Sequence, residues 1–209
     1  MMRVIVTPAV LPPSALAELK EWLGISTTLD DAPLTQLLEA AIDVCTDYTG
    51  LTPLTCTVEE TIRLPTDWRR IPPASEWQTH AYPAEWSPPA TQPGWQVLAT
   101  RPVISITSVH AVRADGTRDQ LDTNAYDLRI NAEGECGLRV IDPGNHVHAV
   151  VRFTAGLASQ WSDLPPGIRH GIIRLAAHQH RAREDAGASP LPAASVTAMW
   201  RPWRRVRLT

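Results

Sequence analysis

The two longest apolar stripes of helical period in this chain lie far apart, at about 31–49 and about 166–185. In the first, Leu34, Leu37, Leu38, Ala41, Ile42 and Cys45 recur at spacings of three and four; in the second, Ile168, Ile172, Leu175, Ala176 and Gln179 do so. A helix with one apolar face is stable in water only when that face is covered, so these two distant segments must pack together. Between them the pattern switches to period two. Thr55–Leu64, Val103–Arg113, Tyr126–Ile130, Leu138–Ile141 and Val147–Phe153 read as strands, and Asp115-Gly116, Glu133-Gly134 and Pro143-Gly144 read as turns. Strands joined by short turns form an antiparallel sheet or small barrel. The pattern therefore predicts an α+β fold, a small helical bundle with an inserted antiparallel β sheet and an extended C-terminal arm.

Punctuation residues set the boundaries. A first helix is expected over 14–24, SALAELKEWLG, with Ser14 as its cap and Gly24 as its stop. The second, 31–49, takes Asp30 or Asp31 as a cap, carries Pro33 in its first turn and ends at Gly50. Leu164-Pro165-Pro166 opens the third, 166–185, after which Gly187, Pro190 and Pro192 break the chain before a short helical turn at about 193–200. One domain over 1–189 follows, with helices 14–24, 31–49 and 166–185 around a β insertion at 55–153, and an arm at 190–209. Residues 65–95 stand apart. They hold seven prolines, and Trp68, Trp77, Trp86 and Trp95 fall nine residues apart. Proline removes backbone donors, so this stretch reads as a surface loop held down by its tryptophans, with the spacing either a degenerate repeat or chance.

Charge is unevenly placed. The net charge is −3, which argues against a general nucleic-acid binder. Residues 1–60 carry nine acids against two bases, whereas residues 166–209 carry eight arginines against two acids. That split suits head-to-tail contact between copies, and equally a dipolar monomer with two solvated faces. Cys45, Cys56 and Cys136 are odd in number and lack a CxxC spacing, so they read as buried, unpaired thiols. No apolar run approaches the ~20 residues needed to cross a bilayer, and the prolines in MMRVIVTPAVLPPS argue against a secretory signal.

Chemistry-bearing constellations are sparse. There is no GxSxG elbow and no glycine-rich phosphate loop. His146 and His148 sit two apart on an expected strand, but a third metal ligand at a convincing spacing is missing. His170, Arg174 and His178 share one helical face, as a contact for an acidic neighbour or as a solvated side. Of the adjacent pairs Asp30-Asp31 and Glu59-Glu60, one member is expected to cap and the other to be exposed. No catalytic, metal or cofactor site is expected, and the protein reads as a non-enzyme.

The C-terminal segment is the strongest functional signal. Met199, Trp200, Trp203 and Val206 are apolar anchors interleaved with Arg201, Arg204, Arg205 and Arg207, and Pro202 prevents a continuous helix. Eleven residues cannot fold alone, so this end is expected to be mobile until a partner orders it. Tryptophan and arginine dominate interface energetics. Protein docking, a grip on DNA phosphates, a membrane-surface anchor and a frayed basic tail remain open as readings.

The order of these features resembles a known family. LAELKEWLGIS, DDAPLTQLLEAAIDVCTDYTGL, RPVISITSVHAVRADGTRDQLDTNAYDLR and VVRFTAGLASQWSDLPPGIRHGIIRLAAHQHRARED, followed by a proline-broken arginine-rich end, are similar to the head–tail connector (adaptor) proteins of long-tailed phages and gene transfer agents. The resemblance covers most of the chain except about 65–95. It implies a structural subunit in the neck of a virion or phage-like particle, assembled in the bacterial cytoplasm. Such subunits form a homo-oligomeric ring, of twelve copies, under the portal protein and extend the DNA channel without sequence-specific binding. The implied partners are the portal, a stopper or other neck protein, and further copies of the chain, with no membrane. Carried onto this sequence, portal docking falls to Met199, Trp200, Arg201, Pro202, Trp203, Arg204, Arg205, Val206 and Arg207, and subunit contacts to 166–185 and the acidic N-terminal helices. The alternative from the residues alone is a DNA-binding factor using the Arg/Trp-rich tail.

Overall fold

The computed structural model describes residues 2–65, 94–182 and 194–204. The chain divides into two compact units, one of Ala9–Thr55 with Gly156–Thr209 and one of Met1–Pro8 with Cys56–Ala155. The span 1–189 read above as one domain is thus divided between the two units, and the second half of the helical unit runs on into the stretch read as an arm; the first strand of the β unit precedes the helical unit, whose halves flank the rest of it.

The helical unit comprises α1 (Pro13–Leu23), α2 (Asp31–Thr49), α3 (Pro166–Ala182) and α4 (Ala194–Trp200). Helix α1 starts one residue earlier than expected. Pro13 occupies its first turn, where a missing N–H costs nothing, and no side chain caps it, so Ser14 lies inside the helix. Asp30 holds the N-cap position of α2 through its backbone carbonyl, which accepts the Leu34 N–H at 2.9 Å; no side chain caps this helix either. Asp31 instead accepts a hydrogen bond from Lys20 Nζ at 2.6 Å, tying α1 to α2. Gly24 and Gly50 end the two helices at φ of 73° and 69°, the left-handed conformation that glycine adopts without strain.

The two stripes meet as their periodicity requires. Leu34, Leu38, Ala41 and Cys45 of α2 share one core with Ile168, Ile172, Leu175 and Ala176 of α3, and α1 adds Ala15 and Leu19. Trp161, in a 3-10 turn ahead of α3, is buried in the same core and donates its indole N–H to Glu18 of α1 at 2.7 Å.

Helix α4 completes this core. Trp200 has no exposed surface and lies against α3 at Gly171, where a Cβ would overlap the indole ring. Its indole N–H points to the Ile168 carbonyl at 3.4 Å, and its ring lies 6.0 Å from that of Tyr48. The segment 194–203 is therefore folded onto its own helices, as α4 and a 3-10 turn at Arg201–Trp203, rather than waiting for a partner to order it. The expectation of mobility is corrected here. It treated the last residues as an isolated peptide, whereas two small residues on α3, Gly167 and Gly171, leave room for the chain end to pack. Arg205, Val206 and Arg207 lie outside the described residues, as do 183–193.

The β unit holds two antiparallel sheets. One has the order β1-β2-β8-β4-β5, formed by Met2–Thr7, Cys56–Arg63, His146–Ala155, Val103–Arg113 and Arg118–Gln120; the other has the order β3-β7-β6, formed by Gln96–Val97, Cys136–Val140 and Tyr126–Ile130. Strand alternation sets the buried face: Cys56, Val58, Glu60 and Ile62 of β2 lie opposite Ala155, Phe153, Val151 and Ala149 of β8, all of them buried. Strand β1 was not foreseen. Its pairing partner is more than fifty residues away in sequence, Val4 opposite Glu59.

Glu60 is a fully buried carboxylate on that face. It accepts hydrogen bonds from the backbone N–H of Ala99 at 2.8 Å and of Thr100 at 2.7 Å, and from the Thr100 hydroxyl. Those three donors replace the water that the charge has lost, and they fasten the strand lead-in to β2. Glu59, on the opposite face, reaches Arg118 at 3.4 Å. Neither glutamate caps a helix, which corrects the expectation for that pair. Trp95 is buried with Arg129 stacked 4.5 Å from its ring centre; Trp68, Trp77 and Trp86 lie outside the described residues.

Trp200→Ala removes the largest buried side chain of the helical unit and should cost about 3–5 kcal/mol of stability. Urea unfolding followed by circular dichroism measures it, and a loss below about 1 kcal/mol would mean that the indole is not a core element.

Candidate docking surface

The sequence-selected C-terminal residues divide by position. Met199 and Trp203 are partly buried against the helical core, and Trp200 is wholly within it. Arg201, Pro202 and Arg204 are exposed. Because the 3-10 turn continues directly from α4, Arg201, Pro202, Trp203 and Arg204 form one short, fixed surface patch anchored by Trp200. Trp203 faces α3, its indole nitrogen 3.7 Å from where a Cβ at Gly167 would stand. The Arg204 guanidinium lies 5.3 Å from the centre of the Tyr48 ring, and the Tyr48 hydroxyl donates to the Thr197 carbonyl at 3.4 Å. This patch presents cations beside a half-buried aromatic, the composition of an interface hot spot. Trp200 supports it from beneath and offers nothing to a partner directly.

A second aromatic–cationic surface lies on α1 and α3. Trp22 is 44% exposed and meets His170 edge-on at 5.0 Å, with Arg174 and His178 further along the same stripe of α3. A third surface is anionic: Glu39, Asp43 and Asp47 repeat every four residues along the exposed side of α2.

The residues with catalytic or metal-binding potential are placed otherwise. His146 lies 2.8 Å through Nδ1 from the Pro143 carbonyl and 2.9 Å through Nε2 from the Asp119 carboxylate, so both ring nitrogens are engaged. Asp119 also pairs with Arg113 at 2.7 Å. His148 sits in the β8 ladder between Arg63 and Val112 and is not joined to His146 by any shared ligand. Among the described residues no three His, Cys, Asp or Glu side chains converge as a metal site would require.

All three cysteines are buried and unpaired. Burial pushes the Cys45 thiol up to about 12 against a smaller opposing hydrogen bond from Thr49, and pushes Cys136 up to about 12 with help from the Glu60 charge. Cys56 is raised by burial and partly offset by Arg3. A thiolate is the nucleophile and metal ligand, so these groups are inert at neutral pH. No helix among the described residues is long and apolar enough to cross a membrane.

Residues 13–72, which hold α1, α2 and β2, match the family described as "Phage gp6-like head-tail connector protein". Among solved structures, the chain is similar over its whole length to a chain in the neck of an empty gene transfer agent (GTA) particle computed with C6 symmetry. That match has a TM-score of 0.69 and 24% identity and covers 100% of this chain and 98% of the other. The two chains share a fold. A chain of the native GTA virion matches with a TM-score of 0.69 at 23% identity, and one from the native GTA neck computed with C12 symmetry with 0.66 at 24%, at the same coverage. No curated protein matches by sequence. The connector resemblance read from the motifs is thus matched by the N-terminal family match and by the fold of the whole chain.

The thiols supply a test of the packing. An unfolded cysteine ionises near 8.5, so Cys45 and Cys136, neutral in the fold to about 12, contribute stability that is fully present below about pH 8.5 and is lost as pH rises. The urea midpoint should fall between pH 8.5 and 10.5, and the fall should shrink in a Cys45→Ala/Cys136→Ala variant. Native protein at pH 8 should leave a thiol reagent unconsumed until denaturant is added; rapid labelling of three thiols would contradict the burial.

Proposed function

We propose that the chain is a structural head–tail connector subunit of a phage or gene transfer agent particle, a ring component beneath the portal that extends the DNA channel and joins capsid to tail. The observation that carries this reading is the full-length likeness to neck chains, reinforced by the connector-family match over α1, α2 and β2. The C6 and C12 symmetry of those neck structures supports a ring, and twelve copies is the reading that fits both. The role is structural and takes no substrate. Its partners are the portal, a following neck protein such as a stopper, further copies of the chain, and DNA in transit. A conduit should release DNA easily, and a protein of net charge −3 holds phosphates weakly.

Portal docking belongs to the C-terminal end. Of Met199–Arg207, the described residues that reach solvent are Arg201, Pro202 and Arg204, with Met199 and Trp203 doing so in part; Trp200 holds them in place, and Arg205, Val206 and Arg207 would extend the contact. A preformed anchor lowers the ordering cost of docking, so the tail need not bind from a wholly unfolded state.

Purified portal-bearing capsids mixed with the protein provide the test. Trp203→Ala and the double variant Arg201→Ala/Arg204→Ala should each keep wild-type circular dichroism yet weaken capsid association about thirty-fold, the equivalent of about 2 kcal/mol per hot spot. Undiminished association by both variants would move the portal contact elsewhere. Salt-dependent binding of free duplex DNA, lost in the arginine double variant, would instead favour the DNA-binding factor.

A further inference from the structure

We propose that the helical unit carries both halves of one head-to-tail interface: the acidic outer face of α2 in one copy docks against the Trp22–Arg174–Arg181 surface of the next copy. This rests on the ring reading above and assigns the residues that close the ring.

The acidic half is an unpartnered helix face. Glu39, Asp43 and Asp47 are exposed at successive four-residue steps, and among the described residues none makes an ion pair or hydrogen bond. Like charges four apart on a helix repel. Asp47 adds a second penalty, because it stands in the last turn, at the negative end of the helix dipole, where α2 has no basic residue. A lone subunit thus keeps a repulsion that a single lysine would remove. A cation supplied from outside removes it equally.

The other half offers that cation at a fitting spacing. Arg174 and Arg181 are seven residues apart on α3, about 10 Å along the axis, and the span from Glu39 to Asp47 is about 12 Å. Two helices lying side by side can therefore set each arginine against a carboxylate of the stripe. Trp22, 44% exposed and edge-on to His170, supplies apolar contact at one end of the same surface. The two halves sit on different helices. A heterologous contact that closes a ring requires two separate, complementary patches on each subunit, and charge complementarity within one sequence selects a second copy as the occupant.

Charge exchange in the full-length chain tests the proposal. The triple variant Glu39→Lys/Asp43→Lys/Asp47→Lys and the double variant Arg174→Glu/Arg181→Glu should each lower the copies retained per portal-bearing capsid at least ten-fold, and combining all five substitutions should restore them. The triple variant keeps like charges at the same four-residue steps and places a lysine at the negative end of the helix dipole, so it should unfold close to the wild-type temperature; a markedly lower midpoint would make the stripe a folding element and overturn the docking role. Normal retention of either single-sided variant, or no recovery in the combined one, would also overturn it. A capsid-independent arm separates this idea from the connector reading. Asp43→Cys/Arg174→Cys protein, oxidised at high concentration, should give a ladder of disulfide-linked multimers that neither single cysteine variant gives. A ladder from the double-cysteine variant, together with failure of the wild-type chain to bind capsids, would leave the interface standing and remove the connector role, whereas capsid binding by the wild-type chain without a ladder from the variant would do the reverse.

Discussion

The helical unit depends on one indole. Trp200 reaches the core only because Gly171 has no side chain, and the contact is close enough that a single added carbon would collide with the ring. Burying a tryptophan fully is among the largest single apolar gains available to a small unit. Here that gain is placed at the end of a seven-residue helix that could not persist on its own. The described residues distal to Trp200 inherit its position. The exposed arginines at 201 and 204 and the half-buried Trp203 are presented at a defined place on α2 and α3. This end, proposed above as the docking element, thereby combines the chemistry of a tail with the low ordering cost of a folded surface.

Charge is handled differently in the two units. In the β unit, buried or half-buried charges are matched internally: Glu60 by three donors, Asp119 by Arg113 and His146, and Asp127 by Arg139. The helical unit pairs the charges that hold α1 in place, Lys20 with Asp31 and Glu18 with Arg169 and Trp161, and leaves the outer carboxylates of α2 unmatched. Internal pairing fixes a fold, while unmatched exposed charge is open to a partner.

Much of the fold was legible in the residues. The helical stripes of α2 and α3, the strand alternation at Val103–Arg113 and the glycine stops at Gly24 and Gly50 are local signals, and each appears where expected. Strand β1 was not legible because a six-residue β-branched stretch becomes a strand only when β2 lies beside it. Glu60 was misread because adjacent acids look alike in sequence; which one is buried follows from the face of β2 that each occupies. The candidate site was half legible. Its residue types pointed to an interface, but the partition of Trp200 into the core and Arg201 and Arg204 onto the surface was hidden. The available signal was the Gly167–Gly171 pair on α3, one helical turn apart, which receives Trp203 at Gly167 and Trp200 at Gly171.

By itself the sequence determined which segments are helical or extended, where they stop, that the distant stripes must meet, and that acidic and basic residues are segregated along the chain. These follow from backbone preference and from the period of apolar residues, which act over a few neighbours. Only the tertiary structure decided which tryptophan is scaffold and which is surface, which carboxylate is buried, and which charges remain without partners. Those outcomes depend on what approaches a side chain from a distant part of the chain, and no local pattern carries that information.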